Sequence, residues 1–459
     1  MSRATRPRRP IVLDARAGFA AALTAAALSA ALSAPLAALG PSPLAAEIDA
    51  RVAAAEGRLI EWRRHFHQHP ELSNREAGTA SFVAARLREL GLEPRTGVAR
   101  HGVVAVIEGR LAGPTVALRA DMDALPVAEE VDLPFASRAE GEFEGRTVPV
   151  MHACGHDAHT AMLLAAAEVL AGLRERLPGR VVLIFQPAEE GVPESERPAG
   201  AELMVAQGVL DEPRVDAAFA LHVFAGLPSG LLGYRSGPMM AAADRFEIVV
   251  EGRQTHGSQP WKGADPIVAA SAIVGALQTI VARSIDLTRE PAVVSVGQFE
   301  AGLRNNIIPQ RARLVGTIRT FDAAMRSEIH ADLTRIAERV AEAHGTSASV
   351  RIDPQVPVTV NDPELLRRML PTLERAAPGR VGEVAKLTPA EDFSRIAERV
   401  PSLYLQLGVT PAAALATAAP NHSPRFFVDE SALPTGVRAL AHLAADFLFA
   451  GAAPPANRP

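Results

Sequence analysis

Thr115-Val116-Ala117-Leu118-Arg119-Ala120-Asp121-Met122-Asp123 is a short apolar, β-branched run that stops in a cluster of charge. The pattern recurs along the chain. Val181–Phe185 runs into Gln186-Pro187-Ala188-Glu189-Glu190-Gly191, Ala217–Val223 carries His222 at its end, and Gly102–Ile107 is a fourth run of the same kind. Helical stretches alternate with these runs: Glu47–His69, stopped by Pro70; Thr79–Leu90, ended by Gly91; and the alanine-rich Thr160–Leu173. Strands alternating with helices predict an α/β sheet covered on both faces. In such sheets ligands collect where loops leave the carboxyl ends of the strands, and the polar clusters sit there.

A second stretch supplies the chemistry. Met151-His152-Ala153-Cys154-Gly155-His156-Asp157-Ala158-His159 contains the only cysteine of the chain. A lone thiol is by default a small buried hydrophobe. Three neighbouring histidines argue otherwise, because sulfur, imidazole and carboxylate are the ligand set of zinc and its first-row neighbours. His152, His159 and Asp157 divide between supporting hydrogen bonds and simple loop packing. His65, His67 and His69 lie at a helix end, where histidine complements the macrodipole, and are expected to be structural.

Between Met239 and Pro354 the pattern changes. Arg245–Glu251, Ala292–Phe299, Arg311–Ile318 and Ala348–Ile352 alternate as strands, while Pro266–Ala282 and Ala323–His344 are helical. The order β-α-β-β-α-β is a ferredoxin-like α+β unit. The chain then resumes with a helix at Pro363–Arg375, a strand at Ser402–Leu407 and a final helix at Glu430–Phe449. The expected organisation is an α/β domain of residues 47–238 plus 355–450, an inserted unit of 239–354 and a flexible tail of 451–459.

The 459 residues carry a formal charge of −5, which excludes nucleic acid as the main partner. The first 46 residues are set apart from the fold. Arg3, Arg6, Arg8, Arg9 and Arg16 precede an Ala/Leu-rich run from Ala17 to about Leu39, then Pro41, Pro43 and Ala45-Ala46. This is the pattern of an export signal, with an uncleaved membrane anchor as the alternative. Removing five Arg and one Asp with it takes the charge from −5 to −9. A periplasmic or secreted location follows as the expectation.

Eight segments in order resemble the dinuclear metallopeptidase and aminoacylase superfamily, in its branch of hippurate hydrolases and auxin-conjugate amidohydrolases. They are His65–Ser73, Arg119–Pro126, the Cys154 segment, Phe185–Gly191, Leu221-His222-Val223, Thr255-His256-Gly257-Ser258, Asn306-Ile307-Ile308-Pro309 and Asn421-His422-Ser423. The resemblance implies that Cys154, His156, Glu190, His222 and His422 hold two divalent metal ions, with Zn, Mn, Co and Ni all suited to the donor set. It implies a metal-binding catalytic α/β domain with an inserted lid that also serves dimerisation. The wider superfamily begins its first metal motif with His-x-Asp. Here Arg119, which cannot ligate, stands at the first position and Asp121 is retained.

Further roles follow from the resemblance. Glu189 is the general base and then acid, and Asp121 orients a ligating imidazole or tunes the attacking water. His256 reaches a metal cleft, in several members from a partner subunit. Asn306 is a candidate to polarise the scissile carbonyl, with a turn-forming role as the alternative. Arg319 is a candidate fork for a substrate carboxylate, since guanidinium binds carboxylates bidentately. Trp261 divides between acyl-group contact and lid packing. The implied activity is hydrolysis of N-acyl amino acids by a homodimer. The alternatives are an exported aminopeptidase or dipeptidase, and a non-catalytic metal or amino-acid binding protein.

Overall fold

The computed structural model describes residues 40–452; most of the segment expected to be a signal, residues 1–39, and the last seven residues lie outside them. An eight-stranded sheet forms the scaffold, in the order Arg95–Val98, Gly102–Glu108, Pro178–Gln186, Leu111–Asp121, Ala217–Pro228, Ser402–Thr410, Leu232–Tyr234, Val381–Glu383. The four central strands from Pro178–Gln186 to Ser402–Thr410 are parallel, and antiparallel neighbours flank them. Their middle runs, Val116–Leu118, Val181–Phe185, Ala217–Leu221 and Leu403–Leu405, are apolar because both faces are covered. Val116 and Leu118, Leu183 and Phe185, Phe219 and Leu221 face one core, built with helices Ala45–Gln68, His156–Ala171 and Leu433–Gly451. Ala117, Val182, Ile184, Ala218 and Tyr404 face the other, with Met204, Phe393 and Ile396. Helix His156–Ala171 is buried along almost its whole length, which explains its lack of a polar face.

A second, four-stranded sheet is ordered Ala292–Ala301, Arg311–Thr320, Ala242–Glu251, Ser347–Val356, antiparallel throughout. Helices Pro266–Thr279 and Ala323–Ala343 share a separate apolar core with it. Asp265 and Asp322 start these helices by accepting from the amides of Ile267 and Met325, at 2.9 and 2.7 Å. Ion pairs tie this unit to the scaffold: Lys386 with Glu290, Arg351 with Glu194 at 2.8 Å and Arg197 with Asp353 at 3.1 Å.

Three expectations are corrected. The fold begins ahead of Glu47: Leu44 is buried, and the amide of Ser42 donates to Asp446 Oδ1 at 2.7 Å. His222 does not end its strand, which continues to Pro228. The last helix starts at Leu433, after a 3-10 turn at Glu430–Ala432. Strands of three or four residues, such as Arg95–Val98, Leu232–Tyr234 and Val381–Glu383, were not anticipated. They are too short for a period of two to stand out.

Candidate metal centre and active-site cleft

Cys154 and His156 are separated by Gly155, whose φ of +93° is left-handed and whose Cβ, if present, would lie 2.2 Å from Val223 Cγ2. Glycine is therefore required for the thiol to turn into helix His156–Ala171 beside the strand carrying His222. His222 donates from Nδ1 to its neighbour's carbonyl, Val223 O, at 2.7 Å. That fixes the tautomer and leaves Nε2 as a free donor of electrons, 3.3 Å from Cys154 Sγ. Asn421 joins both segments to the loop before the last helix, donating to Cys154 O and Val223 O at 3.1 Å each. The next residue, His422, has φ +71° and places Nε2 3.2 Å from Cys154 Sγ and 3.3 Å from Glu190 Oε1. Ala188, two residues before Glu190, is also left-handed at φ +56°. Non-glycine strain of this kind collects where a site over-determines its backbone.

Two groups of donors share Glu190: Cys154, Glu190 and His422, and His156, Glu189 and Glu190, each with ligand atoms within 4.8 Å of one another. His156 Nε2 is 3.8 Å from Glu190 Oε1. All five expected ligands thus converge. Both nitrogens of His156 and Oε1 of Glu190 are buried without a hydrogen-bond partner among the described residues. Orphaned buried donors of this type are costly unless something coordinates them, so the residues present fit divalent metal ions. The charges agree. Burial, reinforced by Glu190 and Glu189, holds the Cys154 thiol well above its ordinary range, and a bound cation would reverse that preference. Burial, helped by His159, keeps His222 neutral. Against its own desolvation, Asp121, Asp123 and Glu190 push His156 up to about 10.

The supporting residues divide by what they touch. The amide of Val223 donates to His159 Nε2 at 2.7 Å, so Nδ1 carries the proton and donates to Asp121 Oδ1 at 2.6 Å. Both ring nitrogens are engaged, and His159 is not a ligand. Asp121 is wholly buried and does not line the cleft; it holds His159 and Arg119, and its Oδ2 lies 3.7 Å from His156 Nε2. Asp123 accepts from Ser73 Oγ at 2.6 Å and from the amide of Glu190 at 2.9 Å, and its other oxygen lies 3.3 Å from His156 Nδ1. His67 is structural, buried between Asp157 at 2.8 Å and Glu129 at 3.1 Å. Glu391 and Asp392 were missed. Glu391 is nearly fully buried beside Glu189, and the adjacent acids in Pro389-Ala390-Glu391-Asp392 were the available signal.

The centre opens into a cleft of about 1240 Å³ bounded by Glu189, Glu190, Phe224, Met240, Leu387 and Leu415. Burial, followed by the charge of Glu391, pushes the Glu189 carboxyl well above the usual range, which suits a group that takes and returns a proton. Arg319 lines the same cleft from the second sheet. Its guanidinium is partly desolvated and makes no hydrogen bond or ion pair to any described residue.

Neither His256 nor Asn306 lines the cleft of its own chain. They sit together on an exposed ribbon, where Thr255–His256 pairs with Ile307–Ile308 and the amide of Gly257 donates to Asn306 O at 2.8 Å. His256 Nδ1 accepts from Ser258, at 2.7 Å from Oγ and 3.1 Å from the amide. Trp261, on the same tip, is 75% exposed and so is not lid packing within this chain.

Comparison with known proteins shows the family. The model of peptidase family M20/M25/M40 matches residues 117–446. The chain is 40% identical to thermostable carboxypeptidase 2 of Saccharolobus solfataricus, covering 86% of this chain and 97% of that one. It is 42% identical to the N-acyl-L-amino acid amidohydrolase of Geobacillus stearothermophilus, over 67% of this chain and 79% of that one. A dinuclear metal binding peptidase of Bacillus subtilis superposes with a TM-score of 0.73 at 35% identity, covering 86% of this chain and 99% of the other. The chain belongs to peptidase family M20/M25/M40, a hydrolase whose substrates are small-molecule amides.

Proposed function

We propose that this protein hydrolyses N-acyl amino acids, releasing a carboxylic acid and a free amino acid. The observation that carries this reading is Arg319, a guanidinium without a protein partner in the wall of the metal cleft. Such a group suits the free carboxylate at the amino-acid end of the substrate. Cys154, His156, Glu190, His222 and His422 would hold two divalent ions, Mn or Zn first, with Co or Ni next. Bound metal supplies a water acidic enough to attack near neutral pH. Glu189 takes the proton from that water and returns it to the leaving nitrogen. Phe224, Met240, Leu387 and Leu415 offer an apolar wall for the acyl group.

The site is completed in a homodimer. Val268, Ser271, Gly275 and Thr279 form an exposed stripe of small and apolar residues on one helix, beside the unpaired edge strand Ala292–Ala301. With Nδ1 accepting from Ser258, the proton of His256 is on Nε2, leaving an outward N–H to stabilise an oxyanion in the partner's cleft. We also propose export, with cleavage ahead of Ser42, since Ser42 and Leu44 are packed into the fold. Mass spectrometry of protein from its native host decides this; an intact Met1 in the cytosol contradicts it.

The test of the activity is a hydrolysis screen of N-acetyl, N-benzoyl and indole-acyl amino acids, their carboxamides, and dipeptides. Turnover of the free acids, with the carboxamides at least about tenfold poorer, supports the reading. A preference for dipeptides with a free α-amine would favour a dipeptidase.

A further inference from the structure

Beside Glu189 lies a buried ionic cluster that metal binding does not explain. Its centre is Arg119, almost wholly buried on the strand that ends at Asp121. Nε donates to Gln186 Oε1 at 2.9 Å and Nη1 to Asp121 Oδ2 at 2.8 Å. Nη2 reaches Glu391 Oε1 at 2.9 Å and Asp392 Oδ1 at 3.1 Å. One fork thus pins the loop Pro389–Phe393 to two central strands.

The two acids of that loop are used differently. Asp392 is saturated: Oδ1 also accepts from Gln186 Nε2 at 2.7 Å, and Oδ2 from the amide of Ala201 at 2.8 Å. Glu391 Oε1 accepts from Arg119 and, at 2.9 Å, from the amide of Phe393. No hydrogen bond of the described residues ends on Glu391 Oε2. Glu391 lines the cleft, and carboxylate oxygens of Glu189, Glu391 and Asp392 lie within 4.8 Å of one another. A single guanidinium therefore holds in place a carboxylate with one free oxygen, next to the general base. Two carboxylates so close in a desolvated site are unfavourable unless one carries a proton that the other accepts.

We propose that Glu391, fixed by Arg119, is a positioning residue for Glu189. When Glu189 has taken the proton of the attacking water, its new O–H requires an acceptor, and the neighbouring Glu391 carboxylate supplies one. The hydrogen bond sets the Glu189 carboxyl in one orientation until the proton passes to the leaving nitrogen. The proton stays on Glu189, and Arg119 holds Glu391 stationary. The inference rests on Glu189 as general base.

The test compares Glu391→Gln and Glu391→Asp with wild type. Gln retains an acceptor for Arg119 but turns an N–H₂ towards Glu189, whereas Asp keeps a carboxylate. The expected result for Glu391→Gln is kcat lowered roughly 10- to 100-fold with KM and metal content unchanged, partly rescued in Glu391→Asp. Melting of the metal-free proteins near neutral pH gives a readout independent of turnover. Combining Glu391→Gln with Glu189→Gln should give less than the sum of the two single melting shifts. Wild-type kcat in Glu391→Gln, or additive melting shifts, overturns the proposal. A lowered melting temperature with loss of metal in both Glu391 variants does the same, by reducing the residue to an anchor. If wild type cleaves none of the amides tested, the substrate reading fails, and the melting cycle still decides whether Glu189 and Glu391 are coupled.

Discussion

Cys154 Sγ lies 3.2 Å from His422 Nε2 across 268 residues of sequence. The contact joins the start of the central buried helix to the loop before the last one, so the centre closes only when the whole α/β unit is assembled. Metal bound there binds the folded state alone and stabilises it.

Cys154→Ala removes the donor shared by His222 and His422. Metal content after dialysis should fall by at least one ion per chain, and the melting temperature should lose most of its rise on adding metal. An unaltered stoichiometry would show that the thiol is only a buried hydrophobe.

Arg319→Ala should raise KM roughly 10- to 100-fold for N-acyl amino acids, because a charge-assisted fork to the carboxylate is lost. Carboxamide substrates, which lack that charge, should be little affected. Equal losses on both substrate types would place Arg319 in the fold of the lid and not in recognition.

His256→Ala and Glu189→Gln should each be inactive, and mixing them should restore up to roughly a quarter of wild-type activity by random subunit exchange. The exposed ribbon that carries His256 is the reason for this expectation. No recovery despite proven exchange contradicts a role across the dimer.

Acid should loosen the segment that follows Glu189 and Glu190. Glu196 is gripped by Arg75 and Asn74, which lower its pKa from an ordinary 4.5 to about 2. A depressed folded-state pKa means stability present above pH 4.5 and lost as pH falls through about 2. Melting curves of wild type and Glu196→Gln should therefore converge between these limits, with wild type the more stable at pH 6. A constant gap across the range would exclude this linkage.

The parallel strands are legible because each holds an unbroken apolar run, whereas the five candidate ligands follow from the resemblance, since nothing local links His422 to Cys154. What local sequence lacks is reach. Glu391 sits 202 positions after Glu189, and nothing near either one reveals that Arg119 brings them together. His256 illustrates the opposite limit. Its segment is recognisable, but local sequence leaves open which chain's cleft it serves, and its exposure on the outer ribbon depends on how the second sheet folds. Leu44 was assigned to the leader because alanine and leucine serve an export signal and a buried helix start equally well.

The most direct test is turnover of N-acetyl and N-benzoyl amino acids by one preparation before chelation, after exhaustive chelation, and after adding back Mn, Zn or Co. The account predicts activity that disappears with the metal and returns with it, while Glu189→Gln binds metal normally and stays at least about 100-fold slower. Full turnover in protein proven free of metal would contradict it.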